Sequence, residues 1–96
     1  MTPQPTYPNH FGKALQRIRK AKGISQEAFA LTSSRTYVST LERGLKSPTL
    51  SKIDELAEVL GVHPLTLLMA AYSDQDAGMI AKAHKELDAL NQIELG

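Results

Sequence analysis

The chain is predicted to be all-α, with five helices followed by an extra C-terminal helix. Three observations predict this. Apolar residues recur at three- and four-residue steps in successive segments, the period of one helical face. Good capping residues open several segments, and Gly23, Gly44 and Gly61 stand where three of them should close. Pro64 occupies an expected first helical position. The 96 residues suit a single domain, and 42% apolar content with two Phe, three Tyr and no Trp implies an aliphatic core.

Residues 1–9 contain Pro3, Pro5 and Pro8, no charge and no periodicity, so a flexible arm is expected. With no Lys or Arg before Lys13, this arm is not expected to clasp a polyanion. The first helix is predicted over 10–22, with Asn9 as cap and Gly23 as its end. Phe11, Ala14, Leu15, Ile18 and Ala21 form its buried stripe, while Lys13, Arg17 and Lys20 lie off it.

The second helix is predicted to start at Ser25, with Gln26 and Glu27 in its first turn, where a negative group suits the dipole. Ala28, Phe29, Ala30 and Leu31 supply its apolar part. Thr32, Ser33 and Ser34 then compete for backbone hydrogen bonds and end it. Ser34 caps a third helix over 35–43, and Gly44 takes the left-handed residue after it.

A loop over 45–49 contains Pro48 and leads to a fourth helix over 50–60. There Leu50, Ile53, Leu56, Ala57 and Leu60 should face inward and Asp54, Glu55 and Glu58 outward, with Gly61 at the end. The fifth helix, 64–71, should bury Leu65, Leu68 and Met69. Beyond Asp74, the residues Ile80, Ala83, Leu87 and Leu90 form one narrow apolar seam. Such a seam suits either this chain's own domain or a second subunit.

Net charge is only +1, yet it is divided sharply. Residues 1–47 carry eight Lys and Arg against Glu27 and Glu42, a balance of +6; residues 48–96 carry three Lys against eight carboxylates, −5. The basic half suits a polyanion, and the acidic half suits solvent or a protein partner. The absence of Cys excludes disulfides, thiolate metal sites and cysteine nucleophiles. No apolar run approaches the ~20 residues of a membrane span, and residues 1–9 have no signal pattern. A soluble intracellular protein is expected.

Catalytic patterns are missing too. His10, His63 and His84 fall in distant segments, and no Gly-rich phosphate loop or nucleophile elbow occurs. Neither a metal nor a cofactor is expected, nor an enzyme. The informative stretch is 25–44, two short helical patterns joined by polar residues. Its second helix places Arg35, Thr36, Ser39, Thr40 and Arg43 on one side and Val38 and Leu41 on the other. Short hydroxyls and arginine on an outer face suit the DNA major groove, because arginine can donate bidentately to guanine and threonine can bond a base edge.

At these motifs the chain resembles the lambdoid phage repressor and Cro (XRE) family of helix-turn-helix proteins. Five signatures carry the resemblance, in order: Lys22-Gly23-Ile24-Ser25-Gln26-Glu27, Ser34-Arg35-Thr36-Tyr37-Val38-Ser39, Leu41-Glu42-Arg43-Gly44, Ser47-Pro48-Thr49-Leu50 and Leu56-Ala57-Glu58-Val59-Leu60-Gly61-Val62. The resemblance covers 19–68, about half the chain. The resemblance implies a lambda-repressor-like DNA-binding domain, which the helix pattern bounds as five helices over 10–72; the apolar seam makes 73–96 a C-terminal helix and possible dimerisation element. It implies that Arg35, Thr36, Tyr37, Ser39 and Thr40 reach bases. It implies phosphate contacts from Gln26, Ser34, Arg43, Lys46 and Ser47, and a structural pair between Arg19 and Glu42. One departure is plain: from Gln26 to Glu42 the chain is two residues shorter than the family pattern, and Thr32-Ser33-Ser34 replaces the usual glycine turn.

The function these features lead us to expect is a cytoplasmic, nucleoid-associated transcriptional regulator of bacterial or phage origin. It would bind a pseudo-palindromic operator in double-stranded DNA as a homodimer, with a restriction–modification controller as one subtype. The competing expectation is a DNA-binding antitoxin or interaction module whose acidic half holds a protein partner.

Overall fold

The computed structural model describes residues 10–73 and 78–95, and the expected arm at 1–9 and cap at Asn9 lie outside them. Among the described residues the chain is all-helical: α1 (Phe11–Ala21), a 3-10 turn (Gln26–Phe29), α2 (Arg35–Glu42), α3 (Leu50–Leu60), α4 (Pro64–Ser73) and α5 (Gly78–Leu95). Among the described residues no single helix is long and apolar enough to cross a membrane.

One core joins the first five elements. Phe11, Ala14 and Leu15 of α1 meet Phe29, Val38 and Leu41, then Ile53, Leu56, Ala57 and Leu60 of α3, and Leu67 and Ala71 of α4. The amide of His10 donates to the Ala71 carbonyl at 2.8 Å, so α1 starts on the end of α4. Ala21, expected in the stripe, is exposed.

The predicted second helix is reduced to one 3-10 turn. Only Phe29 enters the core from it, and Leu31 is 100% exposed. The cause is local: the Phe29 carbonyl accepts from Thr32 N (2.9 Å), Ser33 N (2.7 Å) and Thr32 Oγ1 (3.2 Å), which closes the segment before an i→i+4 ladder can extend. Ser25 takes the extended conformation of a cap without a side-chain bond.

α2 follows its prediction closely. Ser34 Oγ accepts from the Tyr37 amide at 3.0 Å, satisfying one of the orphan donors of the first turn. At the other end Gly44 adopts φ +76, with Leu45 N bonded to Thr40 O and Gly44 N to Leu41 O. That pairing is a Schellman motif, and the positive φ favours glycine there.

α3 matches its predicted bounds, and Thr49 Oγ1 caps it by accepting from Lys52 N at 3.1 Å. Leu50 departs from expectation at 73% exposed, because the first helical residue overhangs the core edge. In α4 the buried residues are Leu67 and Ala71, with Leu68 half-buried; Leu65 and Met69, expected inside, are exposed. Nearly every side of α4 is apolar, so periodicity did not distinguish its faces. α5 leans on α4 and leaves Leu87, Leu90 and Ile93 more than half exposed.

Candidate nucleic-acid interface

The site begins with how α2 is mounted. Gly12 of α1 is buried, and a Cβ built on it would lie 2.3 Å from the Leu41 carbonyl oxygen and 2.9 Å from that of Glu42. The last turn of α2 therefore rests on the bare backbone of α1. Sequence reasoning missed Gly12, since a glycine inside a helix reads as a mere weakness until its neighbour is known.

Beside that crossing lies a nearly dry polar cluster. Arg19 Nε donates to Glu42 Oε2 at 2.6 Å and Arg19 Nη2 to Oε1 at 3.0 Å, while Nη1 donates to the Ile24 carbonyl at 3.0 Å. Gln26 Nε2 adds a third bond to Glu42, at 3.0 Å. The Arg19 and Glu42 side chains are 12% and 3% exposed. The pair predicted from the resemblance thus exists, and it ties α1, the 3-10 turn and α2 together. The hydrogen bond to Glu42 raises the Arg19 pKa, burial opposes that rise, and the charge attraction adds to it. The contribution is present throughout the neutral range and is lost only as pH climbs beyond ordinary arginine values.

α2 turns Val38 and Leu41 fully into the core, and the opposite side stays open. Arg35, Thr36 and Arg43 are exposed, and Ser39 and Thr40 half-exposed. Thr40 Oγ1 donates to the Thr36 carbonyl at 2.8 Å, leaving its oxygen to accept and its methyl to pack. Ser34 uses a lone pair for its cap, so its hydroxyl proton can donate outward. Arg43 and Lys46 are exposed at and just beyond the helix end.

Two of the expected contact residues, Tyr37 and Gln26, are engaged within the protein. Tyr37 is half-buried against the core, with Lys52 Nζ 5.5 Å from its ring centroid. Lys52 also donates to Thr32 O at 2.9 Å and pairs with Glu55 at 2.7 Å. The ring is therefore packed against the core beside Lys52 of α3. Gln26 has its amide nitrogen committed to Glu42 at 3.0 Å, on a four-residue 3-10 turn. Ser47 is exposed and borders a cavity of about 140 Å³ with Phe11, Pro48 and Ile53.

Ser34 is exposed, whereas the Ser33 hydroxyl is buried without a partner among the described residues. Of the two, Ser34 is the one open to solvent. Next to it lies an open depression of about 480 Å³ walled by Gln16, Arg19, Lys20, Ser25, Gln26, Glu27 and Arg35. Gln16 was missed in the sequence, although its four-residue spacing from Lys20 places both on one flank of α1. Among the described residues no His and carboxylate cluster could hold a metal.

With this geometry established, similarity to known proteins becomes informative. The helix-turn-helix family model matches residues 15–67. Control protein C.BamHI of Bacillus amyloliquefaciens is 41% identical over 61 residues, spanning 60% of this chain and 75% of that protein. The crystal structure of the restriction-modification controller protein C.AhdI from Aeromonas hydrophila aligns with a TM-score of 0.57 at 40% identity, covering 60% of this chain and 91% of that one. The clp gene regulator ClgR from Corynebacterium glutamicum aligns with a TM-score of 0.63 at 27% identity, covering 97% and 96%.

Proposed function

The chain belongs to the helix-turn-helix family of DNA-binding transcriptional regulators, and from that premise we propose that it reads a pseudo-palindromic operator as a homodimer through α2. The observation that carries this reading is the outward row Arg35, Thr36, Ser39, Thr40 and Arg43 on a helix whose back is buried and whose end is locked by Arg19 and Glu42. Regulators of this type act in general by binding, without a reaction step.

The roles follow from donor chemistry. Arg35 forks onto the O6 and N7 of guanine. Thr36 and Ser39 bond base edges, and Thr40 accepts from an adenine or cytosine amino group or packs on a thymine methyl. Ser34, Arg43, Lys46 and Ser47 donate to phosphates, which sets register without reading sequence. Tyr37 serves as the buttress between α2 and α3. Such a protein works in the cytoplasm, at the nucleoid.

One recognition helix covers only a few base pairs, whereas a two-fold dimer reads half-sites about 34 Å apart. The dimer surface we assign is the exposed apolar side of α5, Leu87, Leu90 and Ile93, with Tyr72, Met79, Ile80 and Ala83 around the cavity where α5 meets α4. Similarity to two control proteins favours a role in governing a neighbouring restriction–modification gene set. The same exposed side of α5 also favours a second reading, an antitoxin-like module holding a protein partner there.

Selection of bound fragments from a random DNA library, with a mass measurement in solution, tests the reading. We expect an inverted repeat, a dimer, and a monomer on Leu90→Glu. Equal affinity for selected and random duplex at physiological salt would refute sequence-specific reading. Co-purification of a small partner lost on Leu90→Glu would instead support the second.

A further inference from the structure

The basic half of the chain carries only two carboxylates, Glu27 and Glu42. Glu42 is buried and takes three hydrogen bonds from Arg19 and Gln26. Glu27 is therefore the one exposed carboxylate over 10–53. It stands on the 3-10 turn, and its Oε1 accepts from Arg35 Nη1 at 3.4 Å, with side chains 73% and 69% exposed. Both line the open depression that also receives Lys20 and Gln26.

A negative group beside the foremost cation of a DNA-facing surface weakens attraction to every phosphate. For affinity alone it is a poor choice. It makes sense as discrimination, which can come from penalising the wrong partner as well as rewarding the right one. We propose that Glu27 is a positioning and specificity-determining residue that holds the Arg35 guanidinium away from phosphates and presents its free edge to a base. This rests on the reading of α2 as the DNA-reading helix. On random duplex, where no guanine stands in register, the only gain open to Arg35 is a phosphate, and Glu27 competes for it. On the operator the base takes the remaining donors, and an exposed, long pair yields readily because it is weak.

The test is Glu27→Gln, made both in the natural chain and with Arg35→Ala, with affinity for selected and random duplex measured across a salt series. Glu27→Gln should tighten random duplex by about two- to five-fold and leave selected duplex nearly unchanged. The salt slope on random DNA should steepen by about one, as Arg35 gains a phosphate, with no change on selected DNA. In the Arg35→Ala background Glu27→Gln should no longer act unequally on the two duplexes. Equal tightening of both duplexes would mean simple charge removal, and the proposal would be wrong. Persistence of the effect without Arg35 would overturn it as well, since Glu27 would then act on DNA directly. If the natural chain itself fails to prefer selected DNA, the DNA-reading assignment of α2 falls first. A melting curve for each variant keeps loss of folding separate from these outcomes.

Discussion

Arginine meets glutamate at both ends of α2, and the two pairs behave differently. At the C-terminal end, Arg19 and Glu42 approach to 2.6 Å with side chains 12% and 3% exposed. At the N-terminal end, Arg35 and Glu27 stand 3.4 Å apart with side chains 69% and 73% exposed. The groups are chemically the same; their solvent is not. Out of water, an ion pair strips each partner of hydration, so each becomes indispensable to the other. In water the loss of one partner is made good by solvent. The molecule thus uses one pair to mount its helix and leaves the other exchangeable in solvent.

The largest effect should come from the buried pair. Arg19→Ala leaves Glu42 charged and enclosed, and should destabilise by about 3–5 kcal/mol, a loss a thermal melt reads directly. Arg19→Lys should recover only a small part, because one ammonium cannot serve Glu42 Oε2, Glu42 Oε1 and the Ile24 carbonyl as the guanidinium does. A full recovery would erase the distinction between the two pairs. Next is Gly12→Ala, where the contacted atoms are backbone carbonyls that cannot rotate away. It should cost roughly 1–3 kcal/mol and shift α2, so that DNA affinity falls even where the fold survives.

Arg35→Ala should leave the melt almost unaltered yet remove roughly 1–3 kcal/mol of discrimination at a single operator position. Arg43→Ala should weaken all sequences alike and reduce the salt slope by about one. Smallest of all, Glu27→Gln should change stability by less than about 1 kcal/mol. A loss comparable to that of Arg19→Ala would show that the exposed pair is structural after all.

Much of this was legible without coordinates. α3 runs over its predicted residues, and the start of α2 at Arg35 and its stop at Gly44 follow from Ser34 and from the glycine itself. These signals are local, since a cap or a left-handed residue acts within one turn. The Arg19–Glu42 pair came from resemblance alone, because nothing in a separation of 23 residues announces contact. The site was read less completely. The roles of Tyr37 and Gln26 toward DNA came from resemblance as well, and nothing local announced that the first packs beside Lys52 or that the second bonds Glu42.

What the sequence by itself determined was the helical period, most of the caps and stops, the split of charge, and which row of α2 is polar. These depend on interactions between residues a few positions apart. Tertiary structure alone decided that the second segment closes as a 3-10 turn around Phe29, and that α4 buries Leu67 instead of Leu65. It also made Gly12 a seat for α2 and put one glutamate in a dry cleft and the other in water. The reason is physical: burial and dielectric depend on which distant surfaces meet, and no pattern along the chain carries that information.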